Sequence, residues 1–118
     1  MWAKTLGYST VVFTATDENH RPIYHTNVML AVGTSLAVVC MESIEDPAER
    51  QAVKQSFESS GKEIIDITRE QVRHLCGNVI ELRGFDKYVL HTHRSQVIQY
   101  THNNYLGLRT RPRRCWSC

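Results

Sequence analysis

IYHTNVMLAVGTSLAVVC, residues 23–40, is the stretch that decides the fold of this chain. Two apolar runs flank a Gly-Thr-Ser segment at residues 33–35, and such runs are typical of strands that are buried on both faces. We therefore predict a β-hairpin that turns at residues 33–35. His25 and Asn27 stand two residues apart at the start of the first strand, so strand alternation would place both side chains on one face. Polar groups placed there need partners, and a binding site is one way to supply them.

Two helices are predicted after the hairpin. Residues 46–60 begin with an Asp-Pro pair that suits an N-cap and a first helical position, and Glu49 is placed to complete a capping box. A second capping box, TREQ at residues 68–71, opens a shorter helix that we expect to run through Cys76. Gly61 and Gly77 are expected to end the two helices.

Further strands are predicted from β-branched and aromatic runs at residues 8–14, 63–67, 78–83 and 87–90. The order is strand, strand, strand, helix, strand, helix, strand, strand. It indicates a mixed α/β (α+β) fold with hairpins rather than a doubly wound parallel sheet. No Gly-rich phosphate loop follows any predicted strand, so we expect no nucleotide cofactor and no other cofactor.

Length and composition are typical of one globular domain. The chain has 118 residues, of which 42% are hydrophobic and 22% charged. Its longest apolar runs are too short to span a bilayer, and its first residues carry no secretory pattern. We therefore expect a cytoplasmic protein that does not insert into a membrane.

The distribution of charge divides the chain at about residue 90. Residues 1–90 hold all 12 acidic groups against nine basic ones, a net −3, whereas residues 91–118 hold five arginines and no acid, a net +5. We interpret residues 1–90 as the folded domain and residues 91–118 as a basic tail, disordered or peripheral. The tail has no recognisable readout motif, so nucleic-acid binding through it ranks last among our hypotheses.

Cysteines and histidines give no convincing metal site in the sequence. Cys40 and Cys76 lie in apolar surroundings and are expected to be free, buried thiols. A terminal CxxC at residues 115–118 lacks the second ligand pair that a zinc site needs. His91 and His93 alternate along one predicted strand without a third ligand nearby, and we expect both at the surface.

One long part of the chain resembles a known family. The residues that carry the resemblance are GYSTVVFTATDENHRPIYHTNVMLAVGTSLAVVCMESI, then the D-x-x-E-R helix start, then SSGKEIIDIT and EQVRHLCGNVIEL. They resemble the guanidino-group-modifying, or pentein, superfamily of arginine deiminases, dimethylarginine hydrolases and amidinotransferases. The resemblance is greatest to the citrulline-hydrolase branch and covers about two-thirds of this chain.

The resemblance implies a fold, a chemistry and two site residues. Family members are propellers of ββαβ units, of which this chain would supply one and part of the next, with a small mixed sheet and two helices. His25 matches the family's catalytic histidine, a general acid/base that works beside a nucleophilic cysteine. Asn27 matches a position where many guanidine-specific relatives carry aspartate. An amide suits a neutral ureido group, as in citrulline, better than a cationic guanidinium.

The nucleophile is the element that this sequence does not supply. In the family the cysteine ends a Gly-rich segment with Arg-Cys, and here only the Arg114-Cys115 pair is similar, in an arginine-rich context. We therefore expect a truncated or frame-shifted descendant, with a non-family tail at residues 91–118, that is inactive as an isolated chain. The alternative is a non-catalytic α/β module that forms homo-oligomers through open sheet edges. On the first hypothesis the ligand is a small guanidino or ureido compound.

Overall fold

The computed structural model describes residues 2–74, 76–83, 88–92, 96–101 and 104–110, with side chains up to residue 82. Three helices are present in this part of the chain: α1 (Trp2–Thr5), α2 (Pro47–Ser59) and α3 (Arg69–Arg73). There are two sheets. The first contains β1 (Leu30–Val32), β2 (Leu36–Val39) and β3 (Glu63–Asp66). The second contains β4 (Val79–Arg83), β5 (Tyr88–Thr92), β6 (Gln96–Thr101) and β7 (Asn104–Thr110).

The first sheet is a ββαβ unit, as the sequence predicts. Strands β1 and β2 form an antiparallel hairpin in which Val32 lies opposite Ala37. After β2 the chain passes through α2 and returns as β3, which is parallel to β2 with Leu36 opposite Glu63. Parallel neighbours need such a crossover, and a helix is its usual form. The fold is therefore α/β, with a small mixed sheet.

Strand β2 is the centre of the hydrophobic core. All four of its residues are buried, because β1 and β3 cover its two edges while other elements cover its faces. The side chains of Met29, Ile44, Val53 and Ile67 complete the cluster around it. A fully apolar strand is stable only when both of its faces are covered, and the apolar run at residues 36–40 predicts this burial.

The tip of the hairpin is held from two sides. The Gly33 N–H donates to the Leu36 carbonyl over 2.8 Å and closes the turn. The carboxylate of Glu81, on β4, accepts from both the backbone N–H and the hydroxyl of Thr34, each over 2.8 Å. From the other side, Lys62 Nζ donates to the carbonyls of Gly33 and Thr34 over 2.9 and 3.0 Å. The turn thus connects the two sheets.

Helix α2 begins as predicted, but its capping box is incomplete. The Asp46 carboxylate accepts from the N–H groups of Ala48 and Glu49 over 2.7 and 3.4 Å, and Pro47 is the first helical residue. The Glu49 carboxylate turns away from the N-cap. It accepts instead from the Thr14 N–H over 2.7 Å, because that incoming segment offers a backbone donor without a strand partner.

Helix α3 is shorter than predicted. Its capping box is complete: the Thr68 hydroxyl accepts from the Gln71 N–H, and the Gln71 side chain accepts from the Thr68 N–H. The helix ends at Arg73 rather than at Cys76. The Cys76 N–H donates to the Gln71 carbonyl over 3.1 Å, a six-to-one closure of the kind found in Schellman motifs, which terminates the helix.

Residues 8–14 do not form the predicted strand. Tyr8 and Val12 are 72% and 81% exposed, and pairing starts only at Ala15, which forms an isolated bridge with Ile44. β-Branched residues favour a pleated and half-buried surface, so without a neighbouring strand their preference is not realised. Residues 23–29 also depart from the prediction, because the chain forms a 3₁₀ turn at Thr26–Val28 before β1 begins at Leu30.

The second sheet is an antiparallel meander in the order β4-β5-β6-β7. Strand β4 confirms the prediction for residues 78–83. Strands β6 and β7 lie in the segment interpreted as a basic tail, and they pair with each other. The domain boundary at residue 90 stays a prediction, and residues 111–118 lie outside the described part. Within that part no helix is long and apolar enough to cross a bilayer.

Candidate active site around His25

His25 immediately precedes the 3₁₀ turn, in an extended conformation with φ −116° and ψ 112°. Its carbonyl accepts from the Val28 N–H over 3.1 Å, so the backbone is fixed. The imidazole is exposed and makes no hydrogen bond with another described residue. A histidine held by its backbone, with its ring free, can accept or donate a proton to a ligand.

Asn27 is close to His25 in the chain, but it is not on a strand. It lies inside the 3₁₀ turn, where its side chain is exposed and makes no hydrogen bond with described residues. The predicted shared strand face is therefore wrong, because a turn of about three residues does not alternate sides as a strand does. The two side chains still project from one short segment. Their roles as catalytic acid/base and binding amide stay predictions.

The segment that carries His25 and Asn27 is anchored by the residue that follows the turn. Met29 is fully buried, its N–H donates to the Thr26 carbonyl over 3.0 Å, and its carbonyl accepts from the Cys40 N–H over 3.0 Å. Cys40 directly follows the buried central strand β2. The exposed site residues thus stand on the edge of the core, which restrains their backbone without covering their side chains.

Gly77 packs directly against this anchor. A Cβ at Gly77 would lie 2.7 Å from the Met29 Cα and closer still to the Val28 carbonyl oxygen, both of which are backbone atoms. No side chain fits there without moving one of the two segments. Asn78 follows at once, and its side chain is exposed. Because Asn78 is bonded to Gly77, its backbone lies beside the Val28–Met29 anchor.

Neither described cysteine suits the role of the nucleophile. Cys40 and Cys76 are buried, and burial raises the pKa of each thiol above its ordinary value of 9.0. The Ser43 hydroxyl also donates to the Cys40 sulfur over 3.3 Å. Both are structural thiols, as predicted. Cys115 and Cys118 lie outside the described residues.

A second polar cluster, centred on Glu45, was not found from the sequence. Glu45 Oε1 accepts from the Thr16 hydroxyl over 2.5 Å and lies 2.7 Å from His20 Nδ1, and Arg69 Nη2 is 3.7 Å away. The Thr16 and His20 hydrogen bonds, together with the charge of Arg69, lower the pKa of the Glu45 carboxyl. No spacing rule connects these residues, because the fold alone brings them together.

This cluster closes a surface loop rather than forming a cavity. The Asp17 carboxylate accepts from the N–H groups of Arg21 and Asn19, which lowers its pKa, and His20 adopts a left-handed φ of 57°. A non-glycine residue in that region is strained, and the bond from His20 to Glu45 helps to hold it. His20 is exposed, and its partner is Glu45.

A cleft lies elsewhere, between α2 and β3. It encloses about 740 Å³ and is lined by residues that include Met41, Arg50, Lys54, Glu58, Lys62 and Asp66. Most of its polar side chains are already engaged: Arg50 with the Ile44 carbonyl, Lys62 with the hairpin tip, and Asp66 with the Met41 N–H. His25 and Asn27 do not line it. In the described part of the chain, no three metal-binding side chains converge.

The remaining histidines are His74, His91 and His93. His74 is exposed, and its Nε2 lies 3.2 Å from a Glu70 oxygen. His91 belongs to β5, where only the backbone is described, and His93 lies outside the described residues. The expectation that His91 and His93 lie at the surface therefore stays a prediction.

Comparisons with known proteins give one family. No curated protein matches the chain, and no solved structure matches it. The model of the family described as eukaryotic N,N-dimethylarginine dimethylhydrolase matches residues 1–112. That match covers the whole ββαβ unit, the His25 segment and 22 residues of the predicted basic tail. It agrees with the resemblance to guanidino-modifying enzymes on the same residues. The chain belongs to the N,N-dimethylarginine dimethylhydrolase family, within the guanidino-modifying, pentein type of protein.

Proposed function

We propose that this chain carries the histidine half of a cysteine–histidine site that hydrolyses a C–N bond of a guanidino or ureido group. The observation that carries the proposal is His25, whose free imidazole stands on a segment fixed to the core in a chain of a hydrolase family. An imidazole can hand a proton to the departing amine while a thiolate attacks the carbon.

Asn27 favours a neutral ureido ligand over a guanidinium. A carboxylate at this position would pair with a cationic guanidinium, whereas an amide offers one acceptor and two donors without charge. The family name points to dimethylarginine, which is cationic. The amide supports instead the finer resemblance to the citrulline-hydrolase branch. Comparing the binding of citrulline with that of dimethylarginine therefore distinguishes a ureido ligand from a guanidinium ligand.

Turnover requires a thiolate that the described residues do not supply, because burial keeps Cys40 and Cys76 protonated. We expect the isolated chain to bind its ligand at His25 without hydrolysing it. Hydrolysis would then need a cysteine from a partner chain.

The test measures binding and product release on the purified full chain. We expect citrulline to shift the NMR signals of His25, dimethylarginine to bind more weakly, and neither compound to release amine. His25→Ala should remove the binding response, whereas His74→Ala should not, because His74 is an exposed histidine on a different element. No response to either compound would overturn the proposal. Ammonia or amine release that disappears in His25→Ala would overturn only the claim of inactivity.

The second candidate is a non-catalytic module that associates through sheet edges. Among the described strands, β1 and β3 are the outer strands of the first sheet. Val32, Ile80 and Leu82 are each more than half exposed and add apolar surface on β1 and β4. Unpaired strand edges favour pairing with a second copy of the chain. Light scattering that shows a monomer at high concentration would exclude this function.

A further inference from the structure

The contact between Gly77 and the Val28–Met29 backbone joins two segments that are almost 50 residues apart in sequence. Because the Gly77 Cα touches these backbone atoms, Asn78 has its own Cα within about 8 Å of the Met29 Cα. His25, Asn27 and Asn78 are all exposed, and none of the three side chains has a hydrogen-bond partner among the described residues. The three exposed polar side chains thus belong to two segments that meet at one backbone contact.

We propose that Asn78 is a second ligand-binding amide of the His25 site and that Gly77 is the residue that positions it. This inference rests on the proposed function. A ureido group presents one carbonyl acceptor and N–H donors, so each of two amides can exchange a donor and an acceptor with it. A guanidinium offers donors alone and would leave the amide N–H groups unmatched.

The role of Gly77 follows from the absence of a side chain. Its Cβ would meet main-chain atoms, which cannot rotate aside as the end of a long side chain can. Gly61 offers a contrast, because it has a φ of +68° but nothing within 4 Å of its Cβ position. Substitution at Gly61 strains its own backbone, whereas substitution at Gly77 displaces the Val28–Met29 segment and the site residues just before it.

The first experiment is an NMR titration of the full chain with citrulline. Asn78→Ala should raise the Kd about 3- to 10-fold, the loss expected for one or two neutral hydrogen bonds. The matched control is Asn19→Ala, an exposed amide in the surface loop, which should leave the Kd within about 2-fold. Asn78→Asp should shift the preference toward arginine, because a carboxylate pairs with a guanidinium.

The second experiment tests the positioning role. Gly77→Ala should move the amide signals of Val28 and Met29 and the ring signals of His25, and it should weaken citrulline binding. Gly61→Ala should lower stability but leave those signals and the Kd unchanged. If Gly77→Ala does not fold, the Asn78 variants still decide the proposal.

The outcomes separate this inference from the proposed function. Citrulline binding that shifts His25 but is unaffected by Asn78→Ala overturns the role of Asn78 and leaves the proposed function standing. Absence of binding in the unmodified chain overturns both. Unchanged Val28, Met29 and His25 signals in a folded Gly77→Ala variant overturn the positioning role alone.

Discussion

Replacing Arg50 tests how much its hydrogen bonds at the margin of the core contribute to stability. From the first turn of α2, its Nε and Nη2 both donate to the Ile44 carbonyl, over 2.9 and 2.7 Å. The Ile44 side chain is fully buried, so this carbonyl lies at the margin of the core. Arg50→Met keeps much of the aliphatic stem but removes both donors.

The expected loss follows from the type of bond. A hydrogen bond from a charged donor contributes about 1.5–3 kcal/mol, and removing the donor also leaves the acceptor without its partner. Since the two bonds share one oxygen and Arg50 is only half-buried, we expect a total of about 2 kcal/mol. For a domain of this size that loss lowers Tm by roughly 10 °C. Arg50→Lys keeps a single charged donor, so its Tm should lie between the Tm of the unmodified chain and that of Arg50→Met.

The assay is urea unfolding followed by far-UV circular dichroism. Arg50→Met should lower the midpoint without changing the slope, since the surface exposed on unfolding is unchanged. The control is Arg73→Met, which removes ion pairs to Glu18 and Glu70 at an exposed position. Such surface pairs contribute about 0.5 kcal/mol or less. Equal losses in Arg50→Met and Arg73→Met would refute the reasoning.

Three further predictions concern helix capping, pH and thiol reactivity. Asp46→Ala should cost about 1 kcal/mol in urea unfolding while Asp46→Asn costs little, because the amide keeps the acceptor that binds the first N–H groups of α2. The pKa of Glu45 is lower in the folded protein than its ordinary 4.5, so its contribution is complete above that value and is lost as pH falls through the folded pKa. Glu45→Gln should therefore flatten the decline of stability below about pH 4.5, and an unchanged acid profile would contradict this. Cys40 and Cys76 should resist iodoacetamide at about pH 8 in the native protein and react after urea is added, as followed by mass spectrometry; rapid alkylation of either native thiol would show that burial does not protect it.

The parts of the fold that sequence predicts well are those decided by local chemistry. Asp46 and Thr68 cap their helices with their own side chains, and the apolar run of β2 requires burial whatever its neighbours are. Residues 8–14 show the limit of this approach. Their β-branched side chains favour a strand, but a strand also needs a partner edge, and the fold places none beside them among the described residues.

The candidate site, too, is predicted only in part by the sequence. Family resemblance identifies His25 and Asn27, but the assumption of a strand gives them the wrong geometry, because the chain enters a 3₁₀ turn instead. The Glu45 cluster and the Gly77 contact join residues from distant segments. No local pattern encodes such contacts, and only the assembled fold brings the partners together.

Because Glu81 binds the tip of the hairpin, the hydrogen exchange of one backbone amide depends on whether the two sheets are in contact. The Thr34 N–H lies in the turn of the hairpin of the first sheet. The carboxylate that accepts its hydrogen bond belongs to Glu81, on β4 of the second sheet. Its hydrogen exchange must therefore follow the separation of the two sheets rather than the opening of its own hairpin. If Thr34 exchanges much faster than neighbouring strand amides, the second sheet detaches while the ββαβ unit stays folded, and the two form separate cooperative units.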